Sequence, residues 1–279
     1  MSYRTLLVHL DMGGQARARI DFAVRLAAVQ EAHLVAVFSS YIAEPQSFYL
    51  KAELAEPLER IRTERAANGR ELQAYLNEAG RRADVKVEWR TTTEHPNVAL
   101  PLHARHADLV ILGQPDKDDA HAYVAPNFVP NALLSAGRPV LMVPYIGAPA
   151  TFGMRPLIGW DCSRAATRAV YDALPFLRRA KRCDLLTINA SDEATQDLRL
   201  PGSEIATTLA RHGVTVETHT LAGIPHRELG STLLSKAADL SSDLIVVGAY
   251  GHARLSELLL GGVTRSLLDA MTVPVLFSH

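Results

Sequence analysis

The stretch VVGAYGHARLSELLLGGVTRSLL, residues 246–268, has glycine spacing that could serve phosphate binding. An apolar run predicts a strand that ends near Gly248, Gly251 would let the chain turn sharply, and Gly261 and Gly262 precede a helical pattern. The start of a helix offers unpaired backbone N–H groups, which can bind an anion. The alternative is that these glycines only end a strand and cap a helix, and spacing alone does not decide between the two.

Composition and charge narrow the class of protein. The 279 residues, 48% of them hydrophobic, suit two domains with their own cores. With 29 basic and 30 acidic residues the formal net charge is -1, so neither nucleic acid nor an anionic membrane is expected as a partner. No apolar run reaches the roughly 20 residues of a membrane-spanning helix. Two cysteines and a start without a signal-peptide pattern predict a cytoplasmic protein.

The chain contains an internal repeat, which sets its organisation. ADLVILG, ending at Gly113, aligns with SDLIVVG, ending at Gly248, and the same offset carries RPVLMVP onto VPVLFSH without a gap. Near the start of each copy, TLLVHLD ends at Asp11 and RPLIGWD ends at Asp161. The separation in sequence between Asp11 and Asp161 is larger than that between Gly113 and Gly248, so the second copy is shorter in its interior.

Each copy alternates short apolar runs with segments of helical period, a pattern typical of βαβ units in a parallel sheet. The strands predicted for the second copy are Leu157–Trp160, Asp184–Asn189, Val214–Thr220, Leu244–Val247 and Val273–Phe277. We therefore predict an α/β fold with two tandem five-stranded parallel-sheet domains, 1–146 and 154–279, joined by the linker YIGAPATFGM. SRAATRAVYDALPFL is predicted to be a helix with Ser163 as its N-cap. The additional residues of the first copy predict a loop and a long charged helix with a solvated face.

The glycine pattern and its surroundings resemble the universal stress protein family. Two residues separate Gly248 from Gly251 and nine separate Gly251 from Gly261, as in the family's signature, and GVTRSLL and a terminal VPVLFSH follow. Asp161, the segment GWDCSRAATRAV and the sequence AGIP extend the likeness, which covers the chain from about Tyr3 to its end. The resemblance implies a Rossmann-like fold of the adenine-nucleotide-hydrolase type in both halves.

The resemblance also implies a nucleotide site in the second copy. By likeness to ATP-binding members, Asp161 would accept a hydrogen bond from the base or the sugar, Ile188 would contact the base, and Gly223 would lie near the ligand. The residues implied for the phosphate cradle are Gly248, Gly251, His252, Gly261, Gly262, Val263 and Thr264. The implied ligand is ATP, ADP or AMP, with or without Mg²⁺.

One position departs from the ATP-binding pattern of the family. Members that bind ATP usually carry Ser or Thr directly after the third glycine, and this chain carries Gly262 there. A hydroxyl contact to phosphate is therefore missing. Thr264, on the predicted first turn of the helix, could replace part of that contact.

The first copy has lost most of the glycine pattern. In place of the second, third and fourth glycines of the cradle it carries Asp116, Pro126 and Asn127. Proline has no N–H to donate, and a carboxylate would repel a phosphate. We therefore predict a nonfunctional phosphate cradle in the first copy, although Asp11 and Val37 occupy its base-pocket positions.

The segment DKDDAHAYV contains ligand types that metals use, at Asp116, Asp118, Asp119 and His121. A solvated surface loop is the favoured interpretation, because no recognised ligand spacing is present. No metal site is predicted.

The chain shows no pattern for efficient catalysis, and we assign no catalytic residue. No nucleophile is paired with a base, and the P-loop lysine with its Mg²⁺-binding hydroxyl is absent, so at most slow ATP hydrolysis is expected. The first hypothesis is a stress-response protein that senses an adenine nucleotide through its C-terminal domain, with a structural or regulatory N-terminal domain. The alternatives are a nucleotide-independent scaffold and a weak ATPase.

The last strand of each copy, PVLMVP or PVLFSH, is a candidate edge strand. The two could pair across a pseudo-twofold axis, as in the dimers that the family resemblance implies, so that the tandem chain resembles a covalent dimer. Two chains could also form a homodimer.

Overall fold

The fold was analysed in a computed structural model that describes residues 2–43, 54–147, 151–189, 202–249 and 261–279. The chain forms two compact units. The first unit is Tyr3–Phe128, and the second unit is Val129–His279 together with Ser2.

The first unit is a parallel sheet with strand order β3-β2-β1-β4. Its strands are β1 (Thr5–Leu10), β2 (His33–Ser39), β3 (Val87–Thr92) and β4 (Leu109–Gly113). Its helices are α1 (Ala16–Gln30), α2 (Ala55–Arg82) and α3 (Pro96–Ala104). Apart from half-buried Thr5, every residue of β1 is buried, as expected for a strand covered on both faces of the sheet.

Helix α2 is the long charged helix predicted from the sequence, and most of its surface is solvated. Its buried residues are Gly69, Leu72, Leu76, Ala79 and Gly80. A methyl group at Gly69 would lie 3.1 Å from the ring of Phe38, so this glycine allows the helix to lie close to β2. The loop predicted before the helix falls mainly on residues 44–53, which lie outside the described residues.

The second unit contains six strands in the order β5-β10-β9-β6-β7-β8. They are β5 (Val140–Val143), β6 (Pro156–Trp160), β7 (Cys183–Ile188), β8 (Val216–Leu221), β9 (Leu244–Gly248) and β10 (Val275–Ser278). The helices that follow in chain order are α4 (Phe128–Ser135, which starts at the unit boundary), α5 (Arg164–Leu177), α6 (Gly202–Arg211), α7 (Leu229–Asp239) and α8 (Gly262–Ala270). All neighbouring strands from β10 to β8 are parallel.

Each half of the sequence supplies five strands, so the predicted α/β alternation is confirmed. The last strand of the first half, β5, pairs with β10 in antiparallel register, with Leu141 opposite Leu276. Because β5 is hydrogen-bonded to β10, it belongs to the second compact unit.

Helix α5 begins as predicted, because Ser163 caps its first turn. The Ser163 hydroxyl accepts a hydrogen bond from the backbone N–H of Ala166 at 3.0 Å. The same turn packs against the end of β9, where a methyl group at Gly248 would lie 2.6 Å from the carbonyl carbon of Ala165. Gly248 therefore allows the close contact between α5 and β9.

This contact predicts unequal effects of two glycine substitutions. Gly248→Ala forces α5 and β9 apart, so we expect it to lower the free energy of unfolding by about 1–3 kcal/mol. Gly262→Ala is the matched control, since nothing lies within 4 Å of its added methyl group. Urea denaturation measures both variants, and equal destabilisation would contradict this role of Gly248.

Candidate functional site

The candidate site lies at the carboxyl ends of β6 and β9, where the strand order of the second unit reverses. Strand β6 pairs with β7 on one side and with β9 on the other. The connections that follow β6 and β9 therefore leave in different directions and open a crevice, the usual position of a ligand in this kind of sheet. Asp161 follows β6 at this edge, and Gly248 ends β9.

Strand register places other predicted residues at the same edge. Trp160 lies opposite Thr187, so Asp161 and Ile188 follow side by side. Ile188 in turn lies opposite Leu221, two residues before Gly223. The structure thus brings Asp161, Ile188, Gly223 and Gly248 to the ends of four adjacent strands, although they are far apart in the sequence.

A turn at the start of α5 orients the carboxylate of Asp161. Its Oδ1 accepts a hydrogen bond from the backbone N–H of Ser163 at 2.9 Å. The residue as a whole is exposed.

Helix α8 presents an uncapped amino terminus. Gly261 is its N-cap, with φ -55° and ψ 148°, and provides no side-chain hydrogen bond, in contrast to the Ser163 cap of α5. Gly262 is exposed, and no heavy atom of the described residues lies within 4 Å of the place that a Cβ would occupy on Gly261 or Gly262. Half-buried Val263 follows. The start of this helix can therefore accept an anion against its backbone N–H groups.

Thr264 is placed differently from the sequence expectation. It is only 3% exposed and lies on the buried face of α8 that also carries Leu267 and Leu268. Its hydroxyl is therefore not presented to solvent as a substitute for the missing serine or threonine. Gly251 and His252, the remaining predicted cradle residues, lie outside the described residues.

Sequence reasoning missed Asn189, which shapes the loop that contains Gly223. The Asn189 side chain donates from Nδ2 to the carbonyl oxygen of Ile224 at 2.6 Å and accepts at Oδ1 from the Ile224 N–H at 3.0 Å. Asn189 has φ 56° and Gly223 has φ 73°, so both adopt left-handed backbone. An asparagine as the last residue of a predicted strand is the available sequence signal, because Asn tolerates this conformation better than most residues.

The corresponding crevice of the first unit, between β1 and β4, is filled by Arg19. The guanidinium Nη1 lies 2.7 Å from Asp11 Oδ2 and donates to the carbonyl oxygen of His9 at 3.0 Å. The side chains of Arg19 and Asp11 are only 5% and 10% exposed. A methyl group at Gly113 would lie 2.5 Å from Cζ of Arg19, so the guanidinium crosses the end of β4.

The second unit has no arginine at the matching position. When Asp11 is aligned with Asp161, Arg19 falls on Ala169, which is buried in α5. The guanidinium that occupies the first crevice therefore has no counterpart at this position in the second.

A second contact closes the first crevice, and it comes from the acidic segment around Asp119. Asp119 accepts hydrogen bonds from the N–H of Gly14 at 2.8 Å and from that of His121 at 2.9 Å. The bond from Gly14 is the main cause of a pKa of Asp119 below its usual value. A methyl group at Gly13 would lie 2.9 Å from Cβ of Ala122, so this segment lies directly over the turn before α1.

The start of α4 also differs from that of α8. The helix begins at Phe128, one residue later than the alignment with α8 places it, because Asn127 adopts a left-handed backbone with φ 53°. The preceding Pro126 has no N–H, and its carbonyl oxygen accepts a hydrogen bond from Asn97 Nδ2 at 2.9 Å.

The prediction that Val37 corresponds to Ile188 is wrong. Val37 lies opposite His9 and is 1% exposed. Leu10 lies opposite Phe38, so Ser39 follows beside Asp11, as Ile188 follows beside Asp161. Val37 therefore lies two residues before the position in the first unit that corresponds to Ile188.

One group of potential metal ligands occurs among the described residues, away from this crevice. Asp184, Glu217 and His219 lie on neighbouring strands, with ligand atoms within 4.8 Å of one another. Arg182 lies 3.0 Å from both carboxylates, and His219 Nε2 lies 2.7 Å from Asp184 Oδ1. The group is accounted for as an ion-pair network on β7 and β8.

Comparison with known proteins identifies the family. The universal stress protein family model matches residues 2–144 and again 154–279. The chain belongs to the universal stress protein family, with two copies of the family domain in tandem. Its α/β fold is the Rossmann-like fold of that family.

Individual proteins that are similar to this chain include one curated relative and several solved structures. Universal stress protein MJ0577 of Methanocaldococcus jannaschii is 31% identical over 85 residues, which are 30% of this chain and 50% of that protein, so the match spans about half of the curated relative. A universal stress protein from Archaeoglobus fulgidus DSM 4304 has a similar fold, with a TM-score of 0.73, 15% identity and coverage of 98% of this chain and 97% of its own. A universal stress protein solved in complex with cAMP matches 51% of this chain and 98% of its own at 21% identity, with a TM-score of 0.35.

No helix within the described ranges is both long and apolar enough to cross a bilayer.

The Asp11–Arg19 pair predicts a strong single-substitution effect. Arg19→Met leaves the Asp11 carboxylate buried without its cation, so we expect a loss of about 3–5 kcal/mol in the free energy of unfolding. Arg17→Met is the control on the same helix: its 3.5 Å pair with Glu71 is exposed and should contribute less than about 1 kcal/mol. Urea denaturation measures these variants. In the double variant, Asp11→Asn removes the unpaired carboxylate and should recover part of the free energy of unfolding that Arg19→Met loses. No recovery would contradict the ion-pair explanation.

His9 predicts a pH dependence of stability. Burial lowers the pKa of His9 from 6.5 to about 4, while Asp11 partly opposes this shift and Arg19 adds to it. Since the unfolded chain takes up this proton first, stability should fall as the pH drops from about 6.5 towards 4, by a total of about 3 kcal/mol. His9→Gln should flatten the curve of unfolding free energy against pH, whereas His33→Gln, at a half-exposed position, should leave it steep. Equal curves for both variants would exclude His9 as the cause.

Proposed function

We propose that the second unit binds an adenine nucleotide, ATP, ADP or AMP, and that the protein acts as a nucleotide-responsive stress protein. The observation that carries the proposal is the difference between the two crevices. In the first unit Arg19 holds Asp11 in a buried ion pair across the end of β4. In the second unit the equivalent carboxylate, Asp161, is exposed, and Ala169 replaces the arginine.

Each part of the nucleotide has a complementary group at this edge. Asp161 can accept a hydrogen bond from the adenine amino group or a ribose hydroxyl, since an ionised carboxylate is an acceptor only. Ile188 is half-buried and supplies an apolar contact to the base. The turn at Gly223, fixed by Asn189, lies beside it.

The phosphates are assigned to the loop that follows β9 and to the start of α8. The backbone N–H groups of Gly262 and Val263 lie at the positive end of the helix dipole, where negative charge is stabilised. Mg²⁺ would enter with the nucleotide, held mainly by phosphate oxygens.

The chemistry of this arrangement favours binding over turnover. Backbone N–H groups can hold a phosphate in its ground state, but they do not replace the lysine and the metal-binding hydroxyl of efficient phosphoryl transfer. Gly262 supplies no hydroxyl, and that of Thr264 is buried. We therefore expect slow ATP hydrolysis at most.

The first unit is proposed to be a structural or regulatory partner. Its crevice is occupied by its own groups: Arg19 meets Asp11, and the carboxylate of Asp119 binds the N–H of Gly14. A nucleotide would have to displace both contacts.

A nucleotide-independent scaffold is the second candidate. The observation that favours it is the absence of a presented hydroxyl at the start of α8, where Gly262 stands and Thr264 is buried. It predicts no dependence of stability or assembly on nucleotide.

The proposed setting is the cytoplasm, without nucleic acid or membrane as a partner. A homodimer of two chains would need a surface other than the β10 edge, because β10 is hydrogen-bonded to β9 on one side and to β5 on the other.

Isothermal titration with ATP, ADP and AMP, with and without Mg²⁺, tests the proposal. The purified chain is first denatured and its supernatant chromatographed to detect bound nucleotide. We expect one site per chain. Gly261→Pro should weaken binding at least about tenfold: its φ of -55° suits proline, and the substitution removes an N–H and narrows the approach.

Two further variants separate the candidates. Gly262→Ser adds the hydroxyl typical of the family into open space, so it should tighten ATP binding several-fold. Pro126→Gly is the reverse of Gly261→Pro, made at the equivalent position of the first unit, and should leave the affinity for nucleotide unchanged. If neither the natural chain nor Gly262→Ser binds any nucleotide, the sensor proposal fails and the scaffold is favoured.

A further inference from the structure

The first unit contains a cavity separate from its crevice. It has a volume of about 500 Å³ and lies between α2 and the ends of β2 and β3. This volume is in the range of small-molecule sites. The cavity is on the outer side of β2, whereas the crevice lies between β1 and β4.

One wall of the cavity is aromatic. The rings of Phe38 and Trp89 are stacked, with centroids 5.6 Å apart and planes 24° from parallel. Phe38 is buried and Trp89 is half-buried, and the indole Nε1 is satisfied by Thr91 Oγ1 at 2.9 Å. With its only N–H engaged, the indole offers an apolar face, which favours contact with another planar ring.

The opposite wall is cationic. Arg62, Arg65 and Arg70 all line the cavity from α2, on the turns that lie next to Phe38 through Gly69. Arg62 is engaged with Glu59 at 3.3 Å. Within the described part of the chain, Arg65 and Arg70 have no ion pair with a carboxylate.

Arg65 carries an unmet hydrogen-bonding requirement. Its Nε is buried and has no hydrogen-bond partner, and burial lowers the pKa of its guanidinium. The carboxylate of Glu64 acts in the opposite direction on that pKa but makes no hydrogen bond to Nε. A guanidinium that lines a cavity in this way is complementary to a carboxylate or phosphate, which it can bind through two N–H groups.

We infer that this cavity binds a small organic anion that has a flat apolar ring and one carboxylate or phosphate group. The ring lies against Phe38 and Trp89, and the anionic group lies at Arg65 and Arg70. This binding is independent of the nucleotide site proposed in the second unit.

Fluorescence titration with three naphthalene compounds tests the inference. The probes are 2-naphthoate, 1-naphthyl phosphate and the neutral 2-naphthalenemethanol, in a buffer free of phosphate. Trp160→Phe leaves Trp89 as the single tryptophan of the chain, so its emission reports on this cavity. We expect saturable quenching by at least one anion, with the alcohol at least about tenfold weaker. Which anion binds more tightly identifies the head group.

Variants test whether the site is the one described. Arg65→Met should weaken anion binding at least about tenfold and leave the alcohol unchanged, and Arg60→Met, an exposed arginine of the same helix outside the cavity, should have no effect. Ala66→Phe, which fills the cavity from α2, should abolish binding of all three probes. Circular dichroism checks that each variant is folded. Absence of saturable quenching, equal affinity for the alcohol and both anions, or insensitivity to Arg65→Met and Ala66→Phe would each overturn the inference.

Discussion

Parallel pairing of β6 with both β7 and β9 is the constraint on which the site depends. Strands on the two sides of β6 connect to helices in different directions, so a crevice opens at their carboxyl ends. Side chains and helix starts at that edge converge because the strands are in register, not because they are close in sequence. The contact between Gly248 and the first turn of α5 keeps this edge compact, since any Cβ at that position would collide with the helix backbone.

The crevices of the two units differ in the side chains that line them. In the first unit a buried ion pair between Arg19 and Asp11 fills the crevice, and both charges are compensated where neither could be buried alone. Burial in the same region lowers the pKa of His9 and so disfavours its protonated form. In the second unit Ala169 stands at the position of Arg19, and Asp161 is exposed.

The two proposed sites of the chain use different physical means to attract an anion. The start of α8 relies on backbone N–H groups, which need glycine and open space but no charged side chain. The cavity beneath α2 relies on arginine side chains that face an aromatic wall. They lie in different units, so a chain of this kind could respond to two chemically different ligands.

The sequence by itself determined the repeat, the alternation of strands and helices, the long charged helix and the N-cap at Ser163. These features follow from local periodicity and local hydrogen bonding, which sequence patterns express directly. The family resemblance also indicated Asp161, Ile188 and Gly223, which lie at or just beyond the ends of strands that meet at one edge. Only the tertiary structure decided that Arg19 closes the first crevice, that Ser39 and not Val37 lies beside Asp11, and that the Thr264 hydroxyl is buried. Each of these outcomes depends on register between strands, on which face of a helix is buried, or on the path of a long side chain across a strand end, and the spacing of residues along the chain encodes none of the three.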